Sequence, residues 1–424
     1  MIVVQVNGDN VSNDPRNCWV VKFNFRRFNM NKKISAAVTS AALVLGATTA
    51  NAGIIIPAGE WTLDINGNVN VYATIQDYDD TTANAVSGGL ATTMDSTGED
   101  KNQSINTGLL PAWLGFTGTT RQNDLDVSFT ISMQPNVSDN GVAGDSKSNG
   151  PLWRQAFLTF GDKSWGTVKM GKDLGIFAGN AILNDMTLLG VGGGYGNSGA
   201  STTLGGIGTG YIYPSWKGQI AYTTPTMNGL SATVAITNPN QSAETSVTST
   251  YQDRFGFEAQ VQYAMDMGKV WISGASYEYT DGEYDWDATA IDVGAALNFG
   301  NAGLVAYYFD SKGVGATMFT GYPAHAATYG TDSSGNERDG DGGYVQLTYV
   351  IPTGTKLGVA VAKNELDAAV SGDTRLENKR WTVGAYHPLT KHLNLVAEYN
   401  NIESENATLS NESQAISLGA ILFF

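Results

Sequence analysis

From about residue 60 to its end, the chain is written in short runs in which apolar and polar residues alternate. The cleanest is 255–263, with Phe255, Phe257, Ala259, Val261 and Tyr263 on one face. Gly256, Glu258, Gln260 and Gln262 fall on the other. A period of two predicts a strand with two unlike faces. Leu125, Val127, Phe129, Ile131 and Met133 repeat it against Asp126, Ser128, Thr130 and Ser132. Ile291, Val293, Ala295, Leu297 and Phe299 repeat it against Asp292, Gly294, Ala296 and Asn298. Further runs lie at 63–75, 344–351 and 393–400. Such faces can pack sheet on sheet in a sandwich. They can also close into a barrel whose apolar side meets lipid and whose polar side lines water.

The connections favour the barrel. Tight turns at 265–268, 300–303, 352–355 and 388–392 alternate with long polar stretches near 78–105, 137–150, 173–209, 239–252, 280–288, 311–341, 365–378 and 402–412. Short turns at one end and long loops at the other are the pattern of a transmembrane barrel. Eight long loops predict eight hairpins, hence an all-β antiparallel barrel of about sixteen strands. The strands are expected to start near residues 60, 106, 123, 151, 165, 211, 229, 253, 268, 289, 303, 342, 355, 379, 393 and 412. A barrel of that size encloses an aqueous channel.

The last run carries the same pattern to the final residue. Ile416, Leu418, Ala420, Leu422 and Phe424 alternate with Ser417, Gly419, Ile421 and Phe423. A free apolar edge invites aggregation in water; in a closed barrel it pairs with the first strand. A terminal Phe on such a strand resembles the assembly signal of Gram-negative outer-membrane barrels.

The front of the chain reads as processing sequence. Met30-Asn31-Lys32-Lys33 gives a charged start, residues 34–49 are mildly apolar, and Ala50-Asn51-Ala52 fits an A-x-A cleavage site. Residues 30–52 are therefore expected to be a signal peptide, 1–29 a mis-assigned upstream extension, and 53–424 the barrel. Cys18, the only cysteine, falls in the extension, so no disulfide framework is expected. Beyond residue 52 the chain holds 18 basic and 38 acidic residues, a net charge of −20. That balance opposes nucleic-acid binding and favours cations at a mouth or lumen.

Ala112-Trp113-Leu114-Gly115-Phe116-Thr117-Gly118 resembles the second strand of Gram-negative general porins. Residues 154–161 (RQAFLTFG) and 165–172 (WGTVKMGK) are similar to the strand pair that leads into the family's third loop, and 219–230 to the hairpin beyond it. The resemblance implies a sixteen-stranded barrel, usually a homotrimer, whose third loop folds into the lumen and narrows it. It also implies the barrel assembly machinery, outer-membrane lipid and lipopolysaccharide as partners. Here that loop falls at about 173–209. Asn184-Asp185-Met186 resembles the acidic part of the constriction loop, with Asp185 as its carboxylate. The family's basic wall positions fall on Asn68, Trp113, Lys172 and roughly Ser215, of which only Lys172 is basic; Arg154 adds a second positive charge on the lumen side. By alternation, Glu258, Glu278, Asp292 and Glu398 are expected to face the lumen, leaving it acidic and cation-preferring.

Other motifs carry less. Residues 194–199 fit G-x-G-x-x-G, but no strand precedes them and no helix follows. Asp77 to Asp80 and Asp339-Gly340-Asp341-Gly342 lack a calcium-loop spacing. His325, His387 and His392 assemble no Ser/His/Asp set. No cofactor or catalytic step is implied. The expected function is passive diffusion of small hydrophilic solutes and ions across the outer membrane. Three alternatives stay open: a channel specific for a sugar or aromatic solute, using Trp113, Tyr344 and Tyr386; a structural or adhesive barrel; and an outer-membrane enzyme.

Overall fold

The alternating runs fold as strands, and tight hairpins join them where Gly, Asp and Asn cluster. In the computed structural model the described residues are 53–79, 85–93, 98–135, 137, 152–194, 202–238, 254–280, 285–317, 329–332, 334–369 and 375–424. The extension, the signal peptide, Asp80, His325 and residues 195–199 of the glycine motif lie outside them.

The first strands are β1 (Ile54–Ala58), β2 (Trp61–Tyr78), β3 (Lys101–Asn106), β4 (Trp113–Gln122), β5 (Leu125–Gln134), β6 (Leu152–Asp162) and β7 (Gly166–Leu174). A short helix α1 (Gly179–Asn184) and a 3-10 turn (Met186–Leu189) follow. Then come β8 (Trp216–Thr223), β9 (Leu230–Thr237), β10 (Gly256–Met265), β11 (Gly268–Thr280), β12 (Asp285–Phe299) and β13 (Ala302–Lys312). The chain ends with β14 (Asp339–Val350), β15 (Lys356–Leu366), β16 (Leu376–Pro388), β17 (Leu393–Glu405) and β18 (Ser410–Phe423).

All paired strands are antiparallel, and β18 closes on β2 from Ser413↔Tyr78 to Phe423↔Asn68. Eighteen strands make sixteen staves of a closed barrel. β3 and β4 pair with successive parts of one edge of β2 and form a single interrupted stave. β1 continues the edge of β2 that β18 uses, pairing Ile54↔Ile65 through Ala58↔Trp61. Closure leaves few unpaired ladder groups, which is what lets a sheet cross lipid.

Two features differ from the sequence expectation. β1 was not foreseen, because a five-residue apolar strand carries no clear alternation. The second stave, expected to run unbroken from about 106, is interrupted at 107–112. Pro111 has no N–H to give a ladder, and residues 107–112 leave the sheet and are buried. Asn side chains of β2 replace the lost bonds. Asn68 Nδ2 donates to the Pro111 carbonyl at 3.0 Å, Asn70 Nδ2 donates to the Leu110 carbonyl at 2.9 Å, and Asn70 Oδ1 accepts from Gly108 N at 2.9 Å. Elsewhere each strand starts within five residues of its expected position.

The two faces separate as the alternation predicts. Val69, Val71, Ile75, Val234, Phe257, Ile291, Val293, Leu347, Ile416 and Leu418 are exposed, while Asn68, Asn70, Thr74, Gln76, Ser273 and Ser417 are buried inside. An exposed apolar band of this extent is a liability in water and an asset in lipid. Val293, 54% exposed near the middle of β12, tests it. Val293→Arg is expected to destabilise the bilayer-inserted barrel by about 2–4 kcal/mol, read by denaturant unfolding from vesicles. An unchanged unfolding midpoint would remove the lipid-facing assignment.

Candidate functional site

In the connection from β7 to β8 the described residues, 175–194 and 202–215, have very little ladder of their own, so their backbone groups need partners. Acidic and amide side chains of the wall supply them. Glu258 on β10 accepts from the backbone N–H of Ile176 and of Phe177, from Lys217 Nζ at 2.7 Å and from the Tyr277 hydroxyl. Asp292 on β12 accepts from Ala178 N at 3.0 Å, Ser273 N at 2.9 Å and the Tyr307 hydroxyl at 3.1 Å. Gln346 on β14 accepts from Met186 N at 2.7 Å. Glu398 on β17 accepts from Val191 N at 2.8 Å, Gly192 N at 2.9 Å and the Tyr386 hydroxyl at 2.6 Å. Wall tyrosines hold the loop's carbonyls: Tyr344 donates to Ala181 O and Tyr72 to Leu189 O, each at 2.8 Å. The bonds to the carboxylates of Glu258, Asp292 and Glu398 are the charge-assisted ones, about twice as strong as neutral bonds.

The loop thus touches the inner wall from β10 round to β2. It then meets the inward-folded segment 107–112, where Leu109 N donates to Gly190 O at 3.0 Å and Thr203 N to Gly108 O at 3.2 Å. Glycine makes the closest approaches possible. A Cβ on Gly190 would fall 2.1 Å from Glu398 Oε1.

Asp185 sits on the far side of the loop. It caps the 3-10 turn, its Oδ1 accepting from Thr187 N at 2.9 Å. Its Oδ2 accepts from the Tyr211 hydroxyl at 2.9 Å and lies 3.6 Å from Arg380 Nη2, with both side chains 1% exposed. Arg380 also donates to Thr209 Oγ1 at 3.2 Å and Thr382 Oγ1 at 2.8 Å. A Cβ on Gly206 would come within 2.9 Å of both charged groups, so any larger residue there would push the pair aside.

On the side of β4 to β7 the loop leaves a cavity of about 390 Å³. Ile182, Leu183 and Leu188 line it from the loop; Trp113, Gln134, Arg154 and Gln155 line it from the wall. A β-bulge sets Arg154. Ser132 pairs with Gln155 and Met133 with Trp153. Arg154 is the unopposed residue, and the bulge turns it toward the interior with Gln155.

The residues expected at the constriction therefore part company. Arg154 and Trp113 border the cavity. Asn68 is buried and braces the inward segment. Asp185 is buried with Arg380 instead of facing the gap. Glu258, Asp292 and Glu398 do point inward, but their oxygens clamp the loop. Two positions are corrected. Lys172 lies on the exposed outer face with Met170, its Nζ donating to Trp153 O at 2.9 Å. The inward side of β7 carries Lys169 and Asp173, joined at 2.6 Å, and Asp173 is the residue next to Lys172. Motif transfer landed one residue off, and one residue inverts a strand face. Glu278 alternates with the buried Tyr277 and Tyr279, so it too faces outward, paired with Arg254 at 2.9 Å. Phe424 backs the barrel seam, exchanging backbone hydrogen bonds with Gly67 at 2.8 and 3.0 Å. Sequence reasoning missed Lys217 and Arg380, the cations that neutralise Glu258 and Asp185. The signal was present: Arg380 and Thr382 alternate with Trp381 and Val383, and Lys217 and Gln219 with Ile220 and Tyr222.

A closed antiparallel barrel with an apolar exterior, a polar interior and a loop drawn across that interior is a membrane channel. Residues 37–407 match the family model for Gram-negative porins. The chain belongs to that family and to the outer membrane. No curated protein matched in the comparison made. Among solved structures, the anion-selective porin from Comamonas acidovorans is 15% identical with a TM-score of 0.62, covering 86% of this chain and 100% of that one. The outer-membrane channel DcaP of Acinetobacter baumannii is 15% identical with a TM-score of 0.63, over 87% and 99%. The trimer form of OmpT from Vibrio cholerae is 13% identical with a TM-score of 0.55, over 86% and 99%. At these identities the likeness concerns the fold.

Proposed function

We propose that the protein is a homotrimeric diffusion channel for small hydrophilic solutes and ions, with a preference for cations. The observation that carries the channel is the way the loop is held. It is fixed to the wall from β10 to β2 by side chains of five strands, and it leaves its gap beside β4 to β7. The trimer rests on family membership, on the exposed apolar band and on the likeness to a porin that itself forms trimers.

The basis of selectivity moves. Glu258, Asp292 and Glu398 are occupied by backbone donors and by Lys217, so the preference is assigned to the net charge of −20 beyond residue 52 and not to these three. Reconstitution in a planar bilayer across a KCl gradient tests both parts. A stepwise conductance, closing in thirds, with a reversal potential on the cation side is expected. Anion selectivity would keep the channel and assign the sign to Arg154. No conductance from folded trimers would overturn the channel.

A further inference from the structure

We infer that the cavity beside β4 to β7 holds a small neutral solute with a hydrocarbon or aromatic body, and does so by apolar contact. The inference rests on the channel reading, since it names a solute class that pauses in the gap the loop leaves while ions and polyols pass.

Size and lining carry it. The cavity measures about 390 Å³. A dry apolar cavity of about 150 Å³ holds benzene, so a single ring with one substituent fits here. The loop side is hydrocarbon, presented by Ile182, Leu183 and Leu188, and Leu109 and Leu110 of the inward segment extend it. Trp113 adds an aromatic face from the wall. Such surfaces prefer a body that itself leaves water on entering. Of the three aromatic residues that the sequence offers as a solute platform, Trp113 alone borders the cavity. Tyr344 and Tyr386 are buried, their hydroxyls donating to Ala181 O and to Glu398.

Polar groups at the border are bonded within the protein. Gln134 Oε1 accepts from Arg154 N at 3.1 Å, and its Nε2 donates to Ser132 Oγ at 2.7 Å. Gln155 Oε1 accepts from Ser132 Oγ at 2.9 Å, and its Nε2 donates to Asp173 Oδ1 at 3.1 Å. Thr203 Oγ1 donates to Val191 O at 2.6 Å, and the Trp113 indole N–H is directed to Asn66 Oδ1 at 3.4 Å. Arg154, a charged residue at the border, is likewise engaged by the protein. A solute rich in hydroxyls would give up water there and meet amides that already have partners. A hydrocarbon body gives up no such bonds.

The probes are benzyl alcohol and inositol, a six-membered ring with a hydroxyl on every carbon. Benzyl alcohol is expected to block the KCl current saturably, and inositol about tenfold more weakly. Leu183, half-buried on the loop side, is the position to vary. Leu183→Asn should weaken the benzyl alcohol block about tenfold and leave inositol unchanged. Leu183→Met keeps the hydrocarbon and should keep the block. Each variant is first checked as a folded trimer by its heat-dependent shift on a gel. Xenon pressed into crystals of the protein gives a readout that needs no current: it should occupy the cavity, as it does dry apolar cavities elsewhere.

Equal block by the two rings, or a benzyl alcohol block that does not saturate or is unaltered in Leu183→Asn, overturns the inference while the KCl conductance leaves the channel standing. A cavity filled by hydrogen-bonded waters in place of xenon overturns it too. Xenon held there by a protein that passes no current does the reverse: it supports the apolar site and removes the channel.

Discussion

Replacing Glu258 by Leu is expected to release the first turn of the lumenal loop. The carboxylate is buried and serves four donors at once: two backbone N–H groups, the Tyr277 hydroxyl and Lys217. Its loss leaves the buried Lys217 ammonium with the Tyr277 hydroxyl but without its carboxylate, a cost of about 3–5 kcal/mol when one partner of a buried pair is removed. Two orphaned N–H groups add to it. The expected signs are protease cleavage within 175–215 and a noisy conductance. The double variant Glu258→Leu with Lys217→Met should recover part of the loss, because the buried cation is removed together with its carboxylate. A single variant as quiet and protease-resistant as the parent would show that the clamp does not hold the loop.

The second large effect is expected at the loop's return. Arg380→Met leaves the Asp185 carboxylate with the Tyr211 hydroxyl and the Thr187 N–H but no opposing charge. The cost is again about 3–5 kcal/mol, falling on residues 203–211 and not on 176–178. Asp185→Asn in the same chain should restore much of it. Equal cleavage kinetics in Arg380→Met and the parent would assign Asp185 no structural part. Together the two variants separate the loop's entry from its return.

The barrel was legible in the sequence to the level of individual strands. A sheet with lipid outside and water inside must alternate, and runs such as 255–263 and 289–299 write that requirement directly into residue order. The break at 107–112 was not legible. Pro111 marks the spot, but what holds 107–112 out of the sheet is a set of side-chain-to-backbone bonds from Asn68 and Asn70, about forty residues earlier in the chain. The site was read in part. Alternation correctly turned Glu258, Asp292 and Glu398 inward, but facing inward does not distinguish a carboxylate open to solution from one that receives a loop. That difference depends on where 175–215 comes to lie. Lys172 and Glu278 failed for a simpler reason: with a period of two, an error of one residue is an error of face. Arg154 borders the cavity only because a bulge breaks that same rule.

The clamp on Val191 and Gly192 comes from Glu398, more than two hundred residues further along the chain and on the penultimate strand. Loop closure over such a separation is slow and has no reward until the distant partner arrives. The loop's anchor at Val191 and Gly192 is therefore available only to a chain whose penultimate strand is in the wall. The full set of anchors on the lumenal loop thus exists only when strands from both ends of the chain share one wall. A chain cut short before β17 would lack the anchor on Val191 and Gly192, and its lumenal loop would be held by fewer side chains.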